Sequence, residues 1–198
     1  GGVRALYGGT DFLTEQYNRA TQAGYQGGST FKPFTLIAAL EQGITLEQTY
    51  ASASPMDIDG WEVNNFDRRD RGDIDLVEAT ENSVNTVYAQ LNQEVGPEST
   101  REVAVRAGLP ETTTGLGAEL TNVLGTASPH AIDMANVFAT YAAQGVSHET
   151  HVIDHVTNTD GTVIYTGPTA GTQAFSASVM ADATYAMERV VTSGTGKT

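Results

Sequence analysis

Apolar and polar positions along the chain alternate in two rhythms. Residues 30–42 are apolar on nearly every face and stop at Gly43, the pattern of a buried helix with a left-handed glycine after its last turn. Asp75, with Glu78 three residues on, opens a short helix that runs to Glu81. Helical spacing returns over 85–95, closed by Gly96, then over 97–107, 129–144 and 176–191. Residues 3–7, closed by Gly8-Gly9, predict a strand. Residues 151–156 and 162–165 flank Asn158-Thr159-Asp160-Gly161, a hairpin signature with Asp-Gly at the turn. Residues 51–73 lack helical period and read as loop with a short hairpin around 58–63.

Strands near both ends and helices between them predict an α+β fold rather than a repeating βαβ one. The expected division is a sheet-containing half, residues 1–50 and 145–198, and a mainly helical subdomain, residues 51–144. With 198 residues the chain is long enough to bury its own core. It contains no cysteine, so disulfides and thiolate metal sites are excluded and the redox compartment stays open. Ten Lys and Arg against 24 Asp and Glu leave a net charge of −14, which argues against nucleic-acid or anionic-membrane surfaces. The longest apolar runs fall well short of the ~20 residues that span a bilayer. A start at Gly1, without Met and within a strand-like pattern, is expected of a piece excised from something longer.

The chemistry concentrates at Ser29-Thr30-Phe31-Lys32. Residues three apart on a helix share a face, so the hydroxyl and the amine lie close together. Pro33 clashes with the carbonyl four residues back and disfavours a helical residue before it, so the helix begins near Ser29. A helix N-terminus offers unpaired N–H groups to a developing oxyanion. A serine hydroxyl needs a base, and a lysine desolvated beside Phe31, Phe34, Leu36 and Ile37 can serve as a neutral amine. Taken bare, Ser29 is an N-cap and Lys32 a solvated lysine; Gly27-Gly28 before them and the wholly apolar helix after them favour the nucleophile and its base. Ser83-Val84-Asn85 falls between two predicted helices, where both polar side chains can enter one cleft or simply cap the second helix.

The stretch Gln22-Ala23-Gly24-Tyr25-Gln26-Gly27-Gly28-Ser29-Thr30-Phe31-Lys32-Pro33-Phe34 resembles the first active-site motif of penicillin-binding proteins, in particular the bifunctional class A peptidoglycan synthases. Gly8-Gly9, Asn18-Arg19-Ala20-Thr21, Ser83-Val84-Asn85-Thr86, Asp133-Met134-Ala135 and Gly194-Thr195-Gly196-Lys197-Thr198 resemble that family in order and spacing. The resemblance implies the penicillin-binding fold, an antiparallel sheet flanked by helices with the site in the cleft beside a helical subdomain. It implies a serine D,D-transpeptidase acting on peptidoglycan pentapeptide stems that end in D-Ala-D-Ala, trapped by β-lactam antibiotics, with neither cofactor nor metal. By the family pattern Ser29 is the nucleophile, Lys32 its base, Ser83 the proton relay to the leaving amine and Asn85 a contact to the substrate amide. It further implies an upstream glycosyltransferase domain and a membrane anchor in the parent protein, at the extracytoplasmic face of the bacterial membrane. A D,D-carboxypeptidase, a β-lactamase or a non-catalytic penicillin-binding sensor on the same fold are the alternatives.

Two positions depart from the family pattern. Gly27 stands where the family often has Pro, which suggests a looser turn into the helix. Lys197-Thr198 lacks the glycine of the third motif, so Lys197 receives no catalytic role, and the Lys-Thr-Gly strand is expected in a further C-terminal segment of the same domain. Without that segment part of the sheet is expected to stay unpaired and the helix over 30–42 to lose cover on one face. Gly196-Lys197-Thr198 also ends a phosphate-loop-like string, but Val191 occupies the first required glycine position and the string follows a helix. His148, His151 and His155 lack a carboxylate at zinc-site spacing and read as strand histidines. Trp61 and Arg68-Arg69-Asp70-Arg71 could meet a glycan or a partner, and an ordinary solvated loop explains them equally well.

Overall fold

In the computed structural model, which describes residues 1–197, residues Gly28–Phe31 form a single 3-10 turn that runs directly into α1 (Lys32–Glu41). Two short strand pairs follow. β1 (Thr49–Ala51) pairs antiparallel with β4 (Asp73–Asp75), and β2 (Met56–Ile58) with β3 (Trp61–Val63) inside that excursion. Asp75 then caps α2 (Leu76–Glu81), accepting from the Glu78 N–H at 2.8 Å. α3 (Asn85–Val95) and α4 (Pro97–Ala107) meet at Gly96, whose φ of +85° suits glycine, and Pro97 sits where a helix start needs no N–H. A 3-10 segment (Leu120–Leu124) leads to α5 (Ala131–Ala142), where His130 and Asp133 cap each other reciprocally. β5 (Val146–His148) pairs with β8 (Gly171–Gln173), and the hairpin of β6 (His155–Thr157) and β7 (Val163–Thr166) lies between them. Ser176 caps α6 (Ala177–Thr192).

One apolar cluster organises these helices. Phe34, Leu36, Ile37 and Ala39 of α1 are fully buried, as are Leu76, Val87, Tyr88, Leu91, Ala104, Ala183 and Ala186 from the helices around it. α1 packs against α3, α4 and α6 at once, which is what a helix without a polar face requires. Phe31, Phe34 and Tyr141 form an edge-on aromatic run, with ring centroids 5.0 and 6.4 Å apart.

Four expectations change. Residues 3–7 are not a strand among the described residues: only Gly2 bridges His151, and the Val3 N–H donates to the His151 carbonyl at 2.8 Å. A strand pattern becomes a strand only where a partner lies beside it. α1 is buried at Lys32 and from Phe34 to Ala39, so the apolar helix is not left bare along one face. The antiparallel strands pair as four separate two-stranded sheets among the described residues. Lys32 is helical, at φ −53° and ψ −37°, despite Pro33. The Ser29 carbonyl, the group that the proline cannot bond, accepts the Lys32 N–H of the 3-10 turn instead.

Candidate active site

Ser29 is exposed at the start of the 3-10 turn, where the first N–H groups have no intrahelical partner. The turn into it is tightly held. The Gly27 N–H donates to the Ala127 carbonyl at 2.9 Å and the Gly28 N–H to the Gly125 carbonyl at 3.1 Å. Gly28 adopts φ +56°, and the Phe31 ring fills the space beside Gly27, where a Cβ would fall 2.3 Å from a ring carbon. The turn is therefore not loose; a proline at position 27 would forfeit the bond to Ala127.

Lys32, one turn on, is 3 % exposed. Desolvation lowers its ammonium from the usual 10.5 to about 7, so both protonation states are populated at neutral pH. Its Nζ donates to Ser83 Oγ at 2.9 Å, the Ser83 carbonyl at 2.7 Å and Asn85 Oδ1 at 2.7 Å. The Tyr88 ring lies beneath, its centroid 5.6 Å from Nζ, and its hydroxyl is tied to Thr80 Oγ1 at 2.6 Å.

Ser83 joins the two halves of the site. Its Oγ is 3.0 Å from Ser29 Oγ and 2.9 Å from Lys32 Nζ, so the hydrogen-bonded path from hydroxyl to amine passes through it. The connection between α2 and α3 is bent to achieve this: Ser83 holds φ +53°, a conformation an L-residue adopts only when its surroundings impose it. Its N–H donates to the Thr80 carbonyl and that of Val84 to Ala79, closing α2 while Asn85 begins α3. The Asn85 carboxamide spans the gap from Lys32 to the Asn64 carbonyl, which accepts from Nδ2 at 2.8 Å.

The four residues singled out from the sequence, Ser29, Lys32, Ser83 and Asn85, thus form one connected group. Ser29, Ser83 and Asn85 border a cleft of about 510 Å³, lined also by Asn65, Phe66, Asp67, Arg69 and Arg71, while Lys32 lies behind them. An apolar recess of about 350 Å³, lined by Phe138, Met187, Val190 and Val191, opens from the same serine. Of the chain's tail, Thr195 reaches both spaces and Lys197 neither; Thr198 lies outside the described residues. Asn64, Asn65 and Phe66 were not legible as site residues. Their signal was an Asn-Asn pair in a loop with no helical period, which sequence spacing does not link to residue 85. Trp61 is partly buried against the core rather than displayed as a sugar platform. His148 is on β5 and His155 on β6, while His151 pairs with Asp154 at 3.3 Å.

An α+β frame that brings a helix-terminal serine, a buried lysine and a Ser-x-Asn connection to one cleft defines the penicillin-binding class of acyl-transferring folds. The chain belongs to the family described as "Penicillin binding protein transpeptidase domain", whose sequence profile matches residues 1–198. It is similar to Penicillin-binding protein 1A of Mycobacterium tuberculosis, 35% identical over 206 residues that cover 96% of this chain and 25% of that protein. Penicillin-binding protein 1A of Neisseria cinerea is 36% identical over 168 residues, covering 81% of this chain and 21% of that protein. The solved structure of PonA1 from Mycobacterium tuberculosis in complex with penicillin V superposes at a TM-score of 0.84 and 32% identity, over 93% of this chain and 51% of that one. Penicillin-Binding Protein 1A from Haemophilus influenzae shares the fold at a TM-score of 0.83 and 23% identity, over 96% of this chain and 33% of that one. The chain therefore spans about a quarter of these curated relatives and half of the PonA1 structure.

Proposed function

We propose that this chain forms the nucleophile-bearing part of a serine D,D-transpeptidase that cross-links peptidoglycan stem peptides. The observation that carries the proposal is the unbroken path from Ser29 Oγ through Ser83 Oγ to Lys32 Nζ, an amine whose proton affinity burial brings to about 7. Ser29 Oγ attacks the carbonyl carbon between the two terminal D-Ala residues of a stem. Its proton moves to Ser83 as the Ser83 proton moves to neutral Lys32. The C–N bond then breaks, and the proton returns through Ser83 to the departing D-Ala amine. An amine of a neighbouring stem reverses these steps, forms the new amide and frees Ser29. The Ser29 N–H stabilises the tetrahedral oxyanion, its neighbours at Gly28 and Thr30 being bonded to the Gly125 and Gly27 carbonyls, and Asn85 contacts the substrate amide.

A β-lactam follows the first half only, because its leaving nitrogen stays tethered to the acyl group and blocks the acceptor. In this proposal the Lys-Thr-Gly strand that recognises the substrate carboxylate comes from a further segment of the domain, since Lys197 does not reach the cleft. The site works at the extracytoplasmic face of a bacterial membrane, held by an anchor of the parent protein that also carries a glycosyltransferase domain. No helix among the described residues is long and apolar enough to cross a membrane.

The test is intact-mass measurement and peptide mapping after incubation of the full-length protein with penicillin. A single adduct on Ser29 that persists for many minutes is expected. An adduct on Ser83, or none, overturns the assignment; rapid hydrolysis of the adduct assigns a β-lactamase instead.

A further inference from the structure

We infer that Asn65 is the positioning residue that sets which end of the Asn85 carboxamide faces Lys32, and through it the Ser83–Ser29 path. This rests on the acyl-transfer proposal and adds a residue to it.

Asn65 is 3 % exposed, and its side chain uses its full hydrogen-bonding capacity. Nδ2 donates to the Ser52 carbonyl at 2.9 Å and the Arg69 carbonyl at 3.1 Å. Oδ1 accepts from the Thr86 N–H at 3.1 Å and Thr86 Oγ1 at 3.2 Å. Its backbone is held as well: the N–H donates to Ser54 Oγ at 2.9 Å and the carbonyl accepts from the Arg68 N–H at 3.0 Å. One buried amide therefore ties together the strand leaving β1, both ends of the 65–69 loop and the first turn of α3.

The bonds fall on either side of a single contact. Asn64, whose carbonyl receives Asn85 Nδ2, precedes Asn65; Thr86, whose N–H Asn65 holds, follows Asn85. Asn65 thus fixes the peptide that carries the accepting carbonyl, through its own N–H on Ser54 Oγ, and the peptide that follows the donating residue, through Thr86. A carboxamide has one donating and one accepting end, so the Asn64 carbonyl directs Nδ2 away from the amine and Oδ1 towards it, at 2.7 Å. Turned over, Asn85 would aim two N–H groups at a cation. The Asn64 side chain takes no part, its Nδ2 reaching only Glu62 at 3.3 Å.

A residue that merely holds a loop would affect stability alone, and the two roles separate in kinetics. Asn65→Ser should lower the acylation rate constant for a fluorescent penicillin about 10–100-fold, the usual loss when a supporting hydrogen bond to a reactive group goes. Non-covalent affinity for the drug should hold within about twofold. The pH midpoint of acylation should also fall, because Asn85 Oδ1 accepts from the charged form of Lys32 and its loss disfavours that form. The other titratable groups around this region are Tyr88 of α3, beneath the amine, Asp67, Arg69 and Arg71 lining the cleft, and the ion pair of Glu81 on α2 with Arg189 on α6; α6 lines the recess itself with Met187, Val190 and Val191. Displaced arginines would instead raise the midpoint, so a rise overturns the inference.

Val103→Ala, a core truncation on α4, serves as the destabilised control and should change neither rate nor midpoint. Should Asn65→Ser fail to fold, Thr86→Val removes one of the bonds to Oδ1 while preserving shape, and a loss of at least threefold with the same direction of midpoint is expected. Unchanged rate and midpoint in the folded variant overturn the role of Asn65 alone. A wild-type protein that never labels at Ser29 overturns the acyl-transfer proposal beneath it.

Discussion

Lys32 sits where two opposing influences can be compared directly. Three acceptors, Ser83 Oγ, the Ser83 carbonyl and Asn85 Oδ1, favour its ammonium form. Burial disfavours it more, and the balance falls at about 7. Below that pH the amine carries its proton and cannot take another; above it the free base accumulates. The acylation rate at Ser29 should therefore climb about tenfold per unit up to pH ~7 and level off beyond it. Stopped-flow labelling between pH 5.5 and 8.5 reads this, and a rate that falls as pH rises would remove Lys32 from the role of base. The serine, the lysine and their spacing were legible because three residues along one helix fix a distance by themselves. The degree of burial was not, since it depends on α3 and α6 closing over the amine.

The Gly27-Gly28 turn shows how an element imposes requirements that composition alone does not explain. A Cβ on Gly28 meets nothing within 4 Å, so Gly28→Ala should cost only the left-handed backbone term, about 1–2 kcal/mol. A Cβ on Gly27 meets the buried Phe31 ring, so Gly27→Ala should cost more, and the displaced ring, next to Lys32, should slow acylation too. Urea unfolding of the two variants checks the order, and equal losses would show that Phe31 yields freely. Helices α2, α3 and α4 were legible to within a residue, because Asp75, Gly96 and Pro97 mark their ends through local backbone chemistry. The β2–β3 hairpin was legible from its turn, as were the turn and second strand of the β6–β7 hairpin; the first strand, expected over 151–156, forms only over His155–Thr157, because His151 pairs with Gly2 instead. The pairing of β1 with β4 was not: the β2–β3 hairpin and the 64–72 loop separate the two strands, and no local signal chooses so distant a partner.

Over the whole molecule the excess of carboxylates matters more than any one ion pair. Glu41 with Arg106 and Glu81 with Arg189 join helices through partly exposed pairs, and such pairs contribute roughly 1 kcal/mol or less. A net charge of −14 on 198 residues repels itself at longer range. Raising NaCl from 20 mM to 0.3 M at pH 7 screens both and should favour the fold, raising Tm by about 2–4 °C; a lower Tm would mean that the ion pairs dominate. What the sequence by itself determined is local: the helix boundaries, the hairpins, the serine and lysine on one helical face, and the Ser-x-Asn connection between two helices. Each follows from residues within a few positions of one another, whose geometry the backbone supplies. Only the tertiary structure decided that residues 3–7 form no strand among the described residues, that α1 is buried from Phe34 to Ala39 and that the Asn64 carbonyl and the Asn65 side chain meet Asn85 and Thr86. These depend on contacts between segments distant in the chain, and such contacts are selected by how the whole core packs rather than by any short stretch of residues.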